Sequence, residues 1–298
     1  MNGELAQIIS LVTHGNLFLD GGNVDLSANS SFQYTSLVKF ARYKSNQDKQ
    51  GAEIAGSVSE WFSFLHSNKV TRLWNIAFSW KRKDFPEHVA DAFSGGVTRA
   101  IQADLPNGFE LWYPLWKTGG QDKNKPWIVE YRGLLLANSH VLPVEKMSVV
   151  KNQLRQAVSQ AEIFAQRPDV NASYWADFFT KSLELLDSSS PTTPIHPDMI
   201  PTCGFTLEAR QVLASAVQSY VFGGMGSWND MGFEEPEVNE EYGRITKELY
   251  EAVKFATTMA SNSFVSEESK SARQSVHLSD GILRSLQAFF KPRQNLDS

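Results

Sequence analysis

The chain has 298 residues, 42% hydrophobic and 20% charged, a mix that buries enough apolar surface to offset chain ordering and excludes disorder as the main state. A net charge of −5, divided as 14 basic against 13 acidic residues over 1–142 and 14 against 20 over 143–298, speaks against a nucleic-acid binder. Apolar runs such as Leu134 to Ala137 fall far short of the ~18 residues that span a bilayer, so no membrane partner is expected, and the single cysteine, Cys203, excludes an internal disulfide.

The first fifteen residues carry Glu4 and no Lys or Arg, the wrong pattern for a secretory leader, so the cytoplasm is the expected compartment. Leu5, Ile8, Ile9 and Val12 sit at helical spacing and predict a helix over 4–12, stopped by His14-Gly15. Over 31–40 the period becomes two, with Phe32, Tyr34, Val38 and Phe40 on one face of a half-buried strand. Ile54, Val58, Trp61, Phe62 and Leu65 return to the spacing of an amphipathic helix. Residues 70–80 alternate again, with Val70, Trp74, Ile76, Phe78 and Trp80 on one side, and Lys81-Arg82-Lys83 belongs to a strand edge or loop. Pro86 opens a short helix that Gly95-Gly96 closes.

Val97 to Asp104 and Phe109 to Trp116 are β-prone runs joined by Leu105-Pro106-Asn107-Gly108, where Asn-Gly suits a tight hairpin. A fifth strand follows over 127–136. The first half, 1–142, is thus expected to be an α+β domain in which an antiparallel sheet carries one or two helices.

A linker at 137–143 leads into a helical second half, 143–298. Met147, Val150, Leu154, Val158, Ala161 and Phe164 form one helix that Arg167-Pro168 ends, and Asn171 is placed to cap the next, which buries Trp175, Phe178, Phe179 and Leu186. Four prolines between 187 and 205 predict a loop strapped across the surface. Further helices are expected from Thr206 to Gly223, from Asn239 through Ala256, and over 278–290 with Leu278, Ile282, Leu286 and Phe289 on its apolar face.

Chemistry, if present, centres on Phe222-Gly223-Gly224-Met225-Gly226-Ser227-Trp228-Asn229-Asp230. Its three glycines could expose amide N–H groups to an anion, while helix capping by Gly223 or Gly224, Ser227 or Asn229, with Trp228 packing the loop down, explains the same residues. No dinucleotide fingerprint is present, since the third glycine is missing and a helix precedes the segment. No nucleophile elbow, phosphate-binding Gly-Lys-Ser/Thr or His-Glu-x-x-His is present either.

Downstream, Asp230, Glu234, Glu235, Glu237, Glu240 and Glu241 gather carboxylates without one Lys or Arg; they suit either a helix N-terminus or an acidic patch for a basic partner. His14, His66, His88, His140, His196 and His277 are scattered and Cys203 stands alone, so no metal site, Cys–His site or cofactor is expected. Trp112, Trp116 and Trp127 form a candidate aromatic patch.

The segment Phe222 to Asp230 resembles a signature of uncharacterised bacterial proteins in which an aromatic residue takes the place of Trp228, and Phe109 to Trp116 extends the resemblance. It implies a bacterial, cytoplasmic protein with the segment in a helix–turn–helix setting, and it carries no activity. Two functional expectations stand side by side. One is a non-catalytic binding protein, with another protein as its partner, of the kind found in bacterial immunity or defence. The other is an enzyme with a pocket between sheet and helices, using Asp230, Glu234 or Glu235 as acid or base on a phosphorylated or anionic small molecule.

Overall fold

The computed structural model describes residues 1, 3–45, 47–78, 86–89, 99–136, 145–223 and 225–266. Outside them fall Trp80, Lys81-Arg82-Lys83, most of the stretch from Pro86 to Gly95-Gly96, the linker at 137–143, the helix expected over 278–290, Gly224, His140 and His277.

The fold is α+β. Helices α1 (Gly3–Leu19) and α2 (Val58–Ser67) accompany six strands, β1 (Thr35–Tyr43), β2 (Ala52–Ala55), β3 (Arg72–Ala77), β4 (Arg99–Leu105), β5 (Gly108–Thr118) and β6 (Trp127–Leu136). Helices α3 (Met147–Ala165), α4 (Ser173–Asp187), α5 (Leu207–Gln218) and α6 (Pro236–Ser261) follow, so helices occur in both halves. None of the described helices is long and apolar enough to cross a membrane.

The sheet runs β2-β1-β6-β5-β4-β3. Its pairs are antiparallel except β1 with β6, which is parallel from Thr35 opposite Trp127 to Tyr43 opposite Leu134. The expected purely antiparallel sheet is therefore corrected to a mixed one. A parallel neighbour needs a long crossover, and here everything from 44 to 126 supplies it.

Several boundaries also move. The first helix runs through His14-Gly15 to Leu19, because Gly15 is a packing glycine: a Cβ there would lie 2.4 Å from Leu73 Cδ1 and 3.0 Å from Phe62 Cε1. The true stop is Gly21-Gly22, whose amides bond Phe18 O at 3.0 Å and Leu17 O at 2.9 Å. Phe32 and Tyr34 precede β1, Phe32 closing a 3-10 turn, Ser30–Phe32, that Asn29 caps. Ile54 belongs to β2, and α2 begins only after Ser57, whose Oγ accepts from Glu60 N at 3.2 Å while Glu60 Oε2 accepts from Gly56 N at 2.8 Å.

In the hairpin Leu105 pairs with Gly108, which leaves Pro106-Asn107 as the loop, and Gly108, with φ 138°, takes the unusual backbone angle. Asn171 has φ 50° and caps nothing; α4 starts after Ala172 with no side-chain cap. Helix α5 ends at Gln218, short of Gly223, where Ser219 closes a buried hydroxyl cluster with Ser182 and Ser215. Helix α6 opens at Pro236 and continues to Ser261, with proline in its first turn as its missing N–H allows.

The core explains the arrangement. On one face of the sheet Phe40 stacks on Trp61 at 4.4 Å and on Tyr131 at 5.1 Å, with Trp112 edge-on, and Ile8, Leu11 and Val12 of α1 complete that layer. Leu5, Ala6 and Ile9 of the same helix pack instead with the α3–α6 bundle. Helix α1 is thus buried on both sides, and its polar side chains are spent on neighbours. Gln7 donates to Thr35 Oγ1 at 2.8 Å, Thr13 to Met199 O at 2.7 Å, and Asn16 exchanges two bonds with the backbone of Leu73. The bond from Thr13 fastens the segment between α4 and α5 to α1, and Met199 of that segment is fully buried.

Candidate functional site

The glycine-rich segment lies between α5 and α6 and is built around Trp228. That indole is fully buried among Phe164, Trp175, Phe179 and Tyr242, with ring centroids 5.2–6.3 Å away, and its Nε1 donates to Thr246 Oγ1 at 2.8 Å. Tyr242 donates its hydroxyl to Trp228 O; burial pushes that phenol up to about 12. Ser227 caps a single 3-10 turn, Trp228–Asp230, accepting from Asn229 N at 3.2 Å and donating to Gly223 O at 3.0 Å. Gly226 has φ 79°, the angle that calls for glycine, and its amide donates to the Asp230 carboxylate.

Two further amides of the turn bond within the segment or to its entrance: Trp228 N to Val221 O at 3.2 Å and Asp230 N to Ser227 O at 3.0 Å. Asn229 reaches the other half of the chain, its Oδ1 lying 2.9 Å from His88 Nδ1. His88 in turn neighbours the rings of Phe222 and Tyr250. Gly223 sits in the exit from α5, where its carbonyl receives Ser227 and Asn229.

The other expected residues are dispersed. Glu234, Glu235 and Glu237 are exposed at the start of α6, where carboxylates meet the positive end of the helix dipole, and nearby Glu241 pairs with Arg167. Trp112, Trp116 and Trp127 occupy one face of the sheet. Trp112 is buried in the core, Trp116 is half-buried beneath the start of α1, and Trp127, 36% exposed, packs edge-on to it at 5.9 Å. Tyr34 is 59% exposed and its carbonyl accepts from the Trp127 amide, while Leu37, 41% exposed, pairs with Ile128 on β6. Cys203 is exposed and reduced. Among the described residues no three His, Cys, Asp or Glu side chains gather as metal ligands.

Two polar clusters had no motif to announce them. In the first, Asp198 accepts from Ser30 N at 2.8 Å and from Ser30 Oγ, and His196 Nδ1 lies 3.2 Å from the same Oγ. Asn29 Nδ2 donates to Asp198 O at 2.7 Å, so the cluster holds the 3-10 turn to the segment after α4. Burial lowers both His196 and nearby His14, and the Asp198 charge only partly offsets it. Nothing in a sequence separation of 168 residues foretells this pairing.

The second cluster lines a cleft of about 470 Å³ where α1 and α2 end and β3 begins, with Asp20, His66, Lys69, Arg72 and Phe264 on its walls. Its only sequence trace is Lys69 and Arg72, three apart between a helix and a strand.

Comparison of the chain with protein-family models, with curated proteins and with solved structures finds no match.

Proposed function

We propose that the protein is a non-catalytic binding protein that acts on another protein by surface fit. One observation carries this reading. The polar side chains of the glycine-rich segment are hydrogen-bonded by the protein itself: the Asp230 carboxylate by Gly226 N, the Ser227 hydroxyl by Gly223 O and Asn229 N, and Asn229 by His88. Side chains that bond one another and the local backbone in this way fix the segment as a turn between two helices. Tyr34, Leu37 and Trp127 are exposed apolar side chains outside that segment.

The test compares the unmodified chain with two variants, Asp230→Asn and a Tyr34→Ser, Leu37→Ser, Trp127→Ser triple variant. Retention of one discrete protein by the unmodified chain and by Asp230→Asn, at low and physiological salt, with loss in the triple variant, is the expected result. Turnover of a nucleotide or sugar phosphate that Asp230→Asn abolishes would favour the enzyme reading instead.

A further inference from the structure

The cleft at Arg72 takes no part in either half of that reading, and its charges are poorly matched by the protein itself. Arg72 is held as a rigid fork: its guanidinium lies 4.8 Å from the Trp74 ring and 5.5 Å from the Phe264 ring, and Nη2 donates to Asn262 O at 2.9 Å and Phe264 O at 2.7 Å. Those carbonyls account for Nη2 alone. Nε is shut away from solvent with no acceptor, and no carboxylate forms an ion pair with Arg72 among the described residues. Asp104, the acid opposite Arg72 in the β3–β4 register, accepts from Trp74 Nε1 and Gln102 Nε2, both at 2.6 Å. A half-buried guanidinium that feels Asp104 and Asp20 only through space, with no ion pair to either, is an expensive arrangement. Burial lowers Arg72 to about 10, and the charges of Asp104 and Asp20 only partly oppose it.

Lys69 stands on the same wall, at a turn with φ 59° just beyond α2, and His66 is in the last turn of that helix. Both are exposed and neither forms an ion pair among the described residues. The C-terminal dipole of α2 favours cations nearby, yet a dipole end provides only a partial negative charge. Among the described residues Asp20 is the one acid on the cleft wall.

We propose that this cleft binds a phosphate monoester of a small polar molecule, with Arg72 and Lys69 on the phosphate and Asp20 receiving a hydroxyl of the ester. A phosphate monoester carries close to two charges at neutral pH, which suits one guanidinium, through the Nη1 that the two carbonyls leave, and one ammonium. Asp20 disfavours a second phosphate in the same space. Among the described residues the rings on the wall are those of Phe264 and His66. The ligand is bound and released unchanged, as an effector of a binding protein.

The experiment is isothermal titration of the full chain at low ionic strength with ribose 5-phosphate, ribose and sodium sulfate. Ribose 5-phosphate is expected to bind and the other two to give no saturable heat. Lys69→Asn keeps the left-handed turn and removes the charge, and should weaken binding by about tenfold, the equivalent of roughly 1.4 kcal/mol. Arg72→Gln should abolish binding; if that variant does not fold, the exposed Lys69 decides. No binding at millimolar ester, equal binding of sulfate, or unchanged affinity in Lys69→Asn would overturn the proposal. Release of inorganic phosphate with time would overturn the non-catalytic reading while leaving the site in place.

Discussion

Trp228 shows how much one side chain carries. It fills the space among four aromatic rings and satisfies its own N–H on Thr246, while its carbonyl receives Tyr242. Trp228→Ala removes the ring and strands the Thr246 hydroxyl, and should destabilise the fold by about 3–5 kcal/mol in urea unfolding, whereas Trp228→Phe should cost distinctly less. Equal losses in the two variants would mean that the cavity matters little. The identity of this segment was legible in the sequence, since Gly-x-Gly-Ser-Trp-Asn-Asp between two helical patterns marks a turn that something must hold. What was not legible is that its polar groups bond one another and the local backbone. Ser227 and Asp230 have the same letters whether they cap a turn or meet a substrate, and only the position of Gly226 N decides. Arg72 was equally silent, one residue of an alternating strand until Asn262 and Phe264 arrive from the far end of the chain.

Among the elements, α1 departs most from its sequence signal. A glycine in a helix costs about 0.5–1 kcal/mol relative to alanine, so propensity predicts that Gly15→Ala stabilises. The close approach of Leu73 and Phe62 predicts the reverse, an overpacking cost of about 1–3 kcal/mol that exceeds the gain. Thermal melting of Gly15→Ala should therefore show a lowered midpoint, and a raised one would show that Leu73 yields without cost. The long periodic helices α3 and α6 and the strands β5 and β6 were readable because their apolar spacing persists over many residues. Four-residue β2 was hidden inside an apparent helix pattern, since Ile54 and Val58 fit a period of 3.6 as well as an edge strand followed by a cap. The parallel pairing of β1 with β6 left no local trace, because register between distant strands is settled by which faces are buried.

At the scale of the whole molecule, acid should loosen the contacts that join the segment after α4 to α1. His14 and His196 are held below 6.5 by burial. As pH falls through 6.5 the unfolded chain takes up protons first, so stability is full above that value and declines as pH drops toward the lower folded values. The urea midpoint should be lower at about pH 5.5 than at about pH 7.5, and His14→Gln with His196→Gln should flatten the difference. A midpoint that does not change over this range in the unmodified chain would contradict the account. Carboxylates held low by their partners, such as Glu130 with Tyr43, Lys39 and Arg132, lose their contribution only in more acidic solution.

Helix α1, embedded in both apolar cores, has a further meaning for synthesis. It is made before every other described element, yet Thr13 waits for Met199, and Leu5 and Ile9 wait for the α3–α6 bundle. Strand β1 must likewise stay without its inner neighbour until β6 is made. The nascent chain therefore carries α1 unsheltered while β1 to β6 and α3 to α5 are made, and its two cores close only when α6 can pack over α1.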